Sequence, residues 1–291
     1  MCHCRLIASK VFGKKFLFDH HDVCPELFVA KFGDRRWLHK VAYLLERMTF
    51  KTADVSIATN ESYRTIAIQR GRMRPEDVFV VRSGPNLERL AIQPPDPTLK
   101  RGRRFLVGYV GVMGRQEGID YLLRAARHIV IGMRRDDVHF GLVGGGTELE
   151  AMIEYAKELG IEDYVTFTGR VPDAELLAML NTADVCVNPD VVNTMNELST
   201  MNKVMEYMAL GKAQVQFDMR EGRFSAQDAS LYAKPNDIFD LAEKIMTLLD
   251  DEPLRRRMGE AGRERVEEEL QWQHEVPHLL RAYDRLFGKF R

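Results

Sequence analysis

The sequence predicts an α/β protein made of two doubly wound units, each with a parallel sheet, and three observations support this. Short apolar runs alternate with longer helical patterns along most of the chain, as strands joined by crossover helices do. A proline-rich basic stretch, LAIQPPDPTLKRGRR at 90–104, interrupts the alternation, which then restarts. The length, 291 residues, suits two domains of ordinary size, at about 150 residues each. The expected division is a shorter N-terminal domain over 1–98, a C-terminal domain over 99–272, and a terminal helix over 273–291 that packs back toward the first.

The elements follow in order. KFLFDHH (15–21) reads as a strand, 38–52 as a helix and KTADVSIAT (51–59) as a second strand. NESYRTIAIQRG (60–71) is a helix with Asn60 as cap and Gly71 as stop, and VFVVRSGPN (78–86) is a third strand with its turn. Beyond the linker come RFLVGYVG, GIDYLLRAARHIV, VHFGLVGGG, TELEAMIEYAKELG, VTFTGRV, DAELLAMLNTA, DVCVNPD, NELSTMNKVMEYMALG, AQVQFD and a last run of helices. The second half is a complete doubly wound unit. The first has about three strands where such folds commonly have six, so it is either small or incomplete.

Composition narrows the function. The chain is 45% hydrophobic and 29% charged, as folded soluble proteins are. Its 42 basic and 43 acidic residues leave a net charge of -1, which excludes a global attraction to nucleic acid. Any anionic ligand must be met locally. Four cysteines (Cys2, Cys4, Cys24, Cys186) are too few and too scattered for a disulfide framework, which points to the cytoplasm. Cys2-His3-Cys4 has the look of a metal clip, but no second ligand pair follows at finger-like spacing. No apolar run reaches the roughly 18 residues of a membrane span, and no signal-peptide core is visible. The basic, partly apolar KVFGKKF (10–16) leaves peripheral contact with a membrane open, alongside an ordinary surface role.

In open parallel sheets ligands bind beyond the carboxyl ends of strands, so the loops there carry the chemistry. GVMGRQEG (111–118) sets Gly111, Gly114 and Gly118 around Arg115, which permits close backbone approach to a phosphate. GGGTELE, which includes Gly144, is a second glycine turn, or equally a helix entry with Thr147 as cap and Glu150 closing a capping box. TGRVP (168–172) is a third such loop. The fourth feature is the helix of 196–211, with Ser199 or Thr200 as cap and Gly211 as stop. Met201, Val204, Met205 and Met208 form its buried face. Ser199, Asn202 or Lys203, and Glu206 make a polar stripe opposite, either a solvated face or a ligand surface.

In this order and at this spacing, VGYVGVMGRQEGIDYLLRAA, LVGGGTELEAM, VTFTGRVPDAEL, ADVCVNPD and MNKVMEYMALGKAQV resemble the retaining sugar-nucleotide glycosyltransferases of family four, with FDHHD and ADVSIATNESYR extending the resemblance into the first half. The branch carrying STMNKxxEYMA, found among bacterial enzymes of surface polysaccharides and lipid-linked glycans, is especially similar. The resemblance implies the GT-B fold, two Rossmann-like domains facing a cleft, here with the N-terminal domain shortened. It also implies a cytoplasmic, metal-independent hexosyltransferase, peripheral at most at the inner face of the membrane. Such an enzyme uses a nucleotide-sugar donor, expected to be a UDP-sugar, and a saccharide or lipid-linked acceptor, with no nucleic acid partner.

The resemblance also assigns roles. Glu206 would accept hydrogen bonds from the ribose, Ser199 and Thr200 would hold the diphosphate together with Gly111, Gly114 and Gly144, and Lys203, one turn before Glu206, would either ion-pair with it or reach a phosphate. Arg115 would neutralise the leaving diphosphate. Gly169, Arg170 and Val171 would meet the base, a position that tends to read uracil. His21 would face the donor sugar, with His20 on the other side of the strand. Two departures stand out. Glu117 occupies a place where a lysine is common. Counting back from Glu206, the family's paired glutamate falls at Leu198, so Glu197, one step earlier, is the candidate for the donor sugar. A sugar-nucleotide-binding remnant without transferase activity is the rival reading. A Rossmann dehydrogenase is disfavoured by the missing G-x-G-x-x-G fingerprint.

Overall fold

The computed structural model describes residues 13–33 and 36–288, apart from the side chains of 30–32 and 36. Two compact units are present. One holds the described residues up to Gly84, Leu198–Thr200, and those from Leu270 onward; the other holds Pro85–Glu197 and Met201–Glu269.

The first unit is a parallel sheet of three strands in the order β1 (Leu17–His20), β2 (Val55–Ala58), β3 (Val78–Val80). Helices α1 (Cys24–Phe32) and α2 (Arg36–Thr52) connect the first two strands, and α3 (Glu61–Gln69) the next two. Asn60 caps α3 as expected, its Oδ1 accepting from the Tyr63 N-H at 2.8 Å. Gly71 does not take the left-handed turn; Arg72 does, at φ +57°. The final helix of the chain, α12 (Trp272–Phe287), belongs to this unit. Its Ala282 and Leu286 pack on Val55 of β2, and Glu275 accepts from the Arg82 N-H at 2.9 Å.

The second unit is a six-stranded parallel sheet. Its strands are β4 (Phe105–Val110), β5 (Val138–Val143), β6 (Val165–Gly169), β7 (Val185–Asn188), β8 (Gln214–Phe217) and β9 (Ser230–Ala233), ordered β6-β5-β4-β7-β8-β9. Every residue of β4, β5, β7 and β8 is buried, as parallel strands covered on both faces require. The core between sheet and helices holds Tyr109, Phe140 and Phe217 with Leu122, Leu123 and Ile129 of the first crossover. Strand order reverses between β4 and β7, which is the switch point of a doubly wound sheet.

The helix expected over 196–211 is broken. It forms as α7 (Thr194–Leu198) and α8 (Asn202–Ala209), with 199–201 outside both. Neither Ser199 nor Thr200 caps it; the cap position falls at Met201, without a side-chain bond. Asn60 explains the break, because its amide donates to Leu198 O at 2.8 Å and to Thr200 Oγ1 at 3.0 Å, holding that backbone off the helical path. Gly211 does end the second piece in the left-handed region, at φ +65°. The Thr147/Glu150 capping box does not form either. Helix α5 (Leu149–Glu158) starts at Glu148 without a side-chain cap, and the Glu148 N-H is used by Met113 O at 2.9 Å.

Candidate functional site

The switch point is built from backbone. After β4 the chain turns through Gly111, and the Met113 N-H donates to Gly145 O at 3.0 Å, tying the first glycine loop to the second. The two loops touch so closely that a Cβ on Gly144 would lie 1.8 Å from Gly111 O, and only glycine fits. Gly144 N-H in turn donates to Gly169 O at 2.9 Å, which joins the third loop to the group. The Arg170 side chain lies over Gly145, its Cγ 3.3 Å from where a Cβ would stand there. On the other side, a Cβ on Gly118 would meet Pro189 O at 2.0 Å, and the Val191 N-H donates to Gln116 O at 3.0 Å. The loops after β4, β5, β6 and β7 therefore form one continuous rim.

Side chains of α8 enter this rim beside β4. Lys203 reaches Asp190 Oδ1 at 2.5 Å, lies 5.2 Å from the Tyr109 ring centroid, and passes next to Gly111. Burial pushes the Asp190 carboxyl upward and the Lys203 ammonium opposes that shift. The partner of Lys203 is thus Asp190 and not Glu206. One turn further on, Glu206 is half-buried; burial raises its carboxyl above the ordinary range, opposed by Arg89, whose Nη1 is 3.5 Å away. Arg89 also forks onto Asp173 at 2.7 and 3.0 Å, and this holds the Asp173 carboxyl below its usual range. Arg115 projects outward, 83% exposed, with Nε 3.6 Å from Glu148 Oε1. Glu117 turns inward. Its Oε2 is buried without a hydrogen-bond partner, and burial first, then Asp190, raises its carboxyl.

The rim brings together Gly111, Gly114, Arg115, Gly144, Gly169, Arg170, Val171, Lys203 and Glu206, all in the second unit. Glu197 is engaged locally, where its Oε2 accepts from the Arg220 N-H at 3.1 Å, at the start of α9 (Arg220–Ala226). Ser199 and Thr200 belong to the first unit, where Ser199 Oγ lies 3.2 Å from Tyr63 Oη and Thr200 Oγ1 accepts from Asn60. His21 is exposed at the end of β1, with Nε2 2.9 Å from Asp19 Oδ2. His20 is buried against Phe18, Phe50 and Tyr63. Cys2, His3 and Cys4 lie outside the described residues, as does the start of KVFGKKF.

Sequence reasoning passed over Asp190, Arg89 and Asp173. Asp190 carries a usable signal, an acid just beyond a buried strand; Arg89 and Asp173 meet only through tertiary structure.

Comparison with known proteins adds the family. The model described as "Glycosyl transferases group 1" matches residues 94–265. The 2-deoxystreptamine glucosyltransferase of Streptomyces kanamyceticus is 26% identical over 188 residues, 64% of this chain and 47% of the relative. The alpha-maltose-1-phosphate synthase of Mycolicibacterium smegmatis is 25% identical, covering 95% of this chain and 74% of the relative. This chain thus spans about half the length of the first. Among solved structures, sucrose-phosphate synthase of Thermosynechococcus elongatus superposes with a TM-score of 0.79 at 21% identity, over 98% of this chain and 71% of that one. Anabaena HepE in complex with UDP and glucose gives 0.77 at 17% identity, over 96% and 74%. These likenesses identify the fold as GT-B, and the family match, which spans more than half of the chain, makes this protein a member of the group 1 glycosyl transferases.

Proposed function

We propose that this chain transfers a sugar from a UDP-sugar to an acceptor hydroxyl with retention at the anomeric carbon, in the synthesis of a polysaccharide or glycolipid. The observation that carries this reading is the convergence of three glycine loops, Arg115, Lys203 and Glu206 at the switch point of the second sheet. Glycine backbone that a phosphate can approach closely, with two cations beside it, suits a diphosphate, and a half-buried carboxylate one turn beyond suits the two ribose hydroxyls. Gly169, Arg170 and Val171 meet the base. The second unit is the donor domain, and the three-stranded first unit is the acceptor-side domain. Exposed His21 is a hydrogen-bond partner for a sugar hydroxyl. Glu197 is less suited to the donor sugar, because its carboxylate serves α9.

As the glycosidic bond breaks, negative charge grows on the leaving phosphate oxygen. Exposed Arg115 is placed to meet it, while Lys203 supplies a fixed charge set by Asp190. A front-face attack assisted by the leaving phosphate needs no protein nucleophile and no metal. The acceptor is a saccharide or a lipid-linked sugar, with peripheral membrane contact in the latter case.

Release of UDP from UDP-sugars, measured with and without saccharide acceptors, tests the proposal. Acceptor-stimulated release is the expected result. UDP binding without any release would support a binding remnant, and neither binding nor release would remove the proposal.

A further inference from the structure

Glu117 belongs to the first glycine loop, yet the proposed reaction gives it no part. A Cβ on Gly114 would lie 2.7 Å from its Oε2, so the carboxyl fills the space that a side chain on that loop would need. The same oxygen is buried and has no hydrogen-bond partner. Three charged or titratable groups face Glu117: Asp190 from the loop after β7, Lys203 from α8 and Tyr109 from β4. Arg115, two positions earlier, points outward toward Glu148.

None of the three satisfies that oxygen. The Tyr109 hydroxyl donates to Val112 O at 2.8 Å. Lys203 donates to Asp190 Oδ1 at 2.5 Å. Asp190 has a second donor in fully buried Asn188, whose amide nitrogen, in the orientation that satisfies both amide atoms, lies 3.1 Å from each Asp190 oxygen. One ammonium therefore stands between two carboxyls, and Asp190 is the one supplied with the donors that a buried carboxylate needs. With both acids ionised the cluster would carry one negative charge in excess, beside the glycine backbone proposed to receive the diphosphate. Burial first, then Asp190, raise the Glu117 carboxyl, which favours its neutral form.

We propose that Glu117 governs diphosphate binding through its proton: as a neutral acid it leaves the charge of Lys203 to the rim, and as a carboxylate it competes for that ammonium and repels the phosphates. Glu117 is a positioning residue, acting through Lys203. A diphosphate bound beside it favours the neutral acid, so wherever free Glu117 is ionised, binding takes up a proton from solvent and release returns it. The contribution of Glu117 to affinity is complete at low pH and is lost as pH rises through its ionisation in the folded chain. This regulation rests on the diphosphate site proposed above.

Titration calorimetry of UDP against the full chain, wild type beside Glu117→Gln, over a range from about pH 5.5 to about pH 9 is the test. Glutamine mimics the neutral acid, and the ionisation of UDP itself cancels in the ratio of the two affinities. That ratio is expected to be near one at the acid end and to fall roughly tenfold at the alkaline end, since a unit charge about 10 Å off at an effective dielectric of about 20 is worth about a decade. In buffers of different ionisation enthalpy, the wild type should take up more protons than Glu117→Gln at the alkaline end. Asp190→Asn, measured against the same variant with Glu117→Gln added, should begin its loss at lower pH, because Glu117 is then the sole acid facing Lys203. A level ratio, equal proton uptake or an unmoved onset would each overturn the inference while leaving UDP binding in place. No binding by either protein at any pH would remove the diphosphate site itself, and this regulation with it.

Discussion

Lys203 and Asp190 form a nearly enclosed ion pair, with side chains 12% and 3% exposed. Removing one partner leaves the other charge buried alone, so Asp190→Ala is expected to cost about 3–5 kcal/mol in denaturant unfolding. A loss below about 1 kcal/mol would mean that water reaches the pair. Glu117 poses the opposite case. Its buried oxygen without a partner is a liability at neutral pH, so Glu117→Gln should stabilise the fold by about 1 kcal/mol. Exposed Arg115 carries the proposed leaving-group role: Arg115→Ala is expected to lower kcat roughly 10²–10³-fold with Tm unchanged. Lys203, Glu117 and Arg115 stood out in the sequence, but Asp190 and the pairings did not. Lys203 could be placed beside Glu206 by helical spacing, yet it turns to Asp190, 13 positions away in sequence, because the strand end offers a closer buried acid.

At the scale of elements, strands and crossovers were legible from alternation, and the glycine loops from their residue type. Helix α8 was legible only in part. The run 196–211 has no Gly or Pro before Gly211 to mark the break; Ser199 and Thr200 are cap-type residues, and Asn60, 138 residues from Leu198, bonds the segment where the helix divides. Asn60 caps α3 and fixes 198–200 with the same amide, so Asn60→Ala is expected to cost more than the roughly 1 kcal/mol of a cap alone. The rim depends equally on backbone approach. Gly144→Ala would force its Cβ into Gly111 O, displacing both loops, and should abolish UDP binding while lowering Tm. Unchanged binding in that variant would show that the loops do not form the diphosphate site.

For the whole molecule, acid stability follows from two buried histidines, one in each unit. Burial, aided by Arg70, holds His20 down to about 4, and burial, aided by Arg103, holds His139 down to about 4, against an ordinary value of 6.5. Between those values the unfolded chain binds protons that the folded chain refuses, so stability falls as pH drops from about 6.5 and the loss is complete below about 4. Each histidine accounts for a loss on the order of 3 kcal/mol, and His139→Gln should flatten its share of the pH dependence. Two units were expected from an interruption of the repeating pattern, but the proline-rich stretch at 90–104 lies inside the second unit, which begins at Pro85. The return of the last helix to the first unit, and its Glu275 and Arg285 contacts there, were not legible in detail because they join residues about 200 positions apart.

The account rests on a nucleotide diphosphate held at the rim of the second sheet. Titration calorimetry of UDP against the full chain, wild type and Glu206→Ala, tests this most directly. The expected result is one-site binding that falls roughly ten- to hundredfold in the variant, the worth of hydrogen bonds to a charged group, with Tm preserved. No binding heat from the wild type, or equal affinity in both proteins, would contradict it.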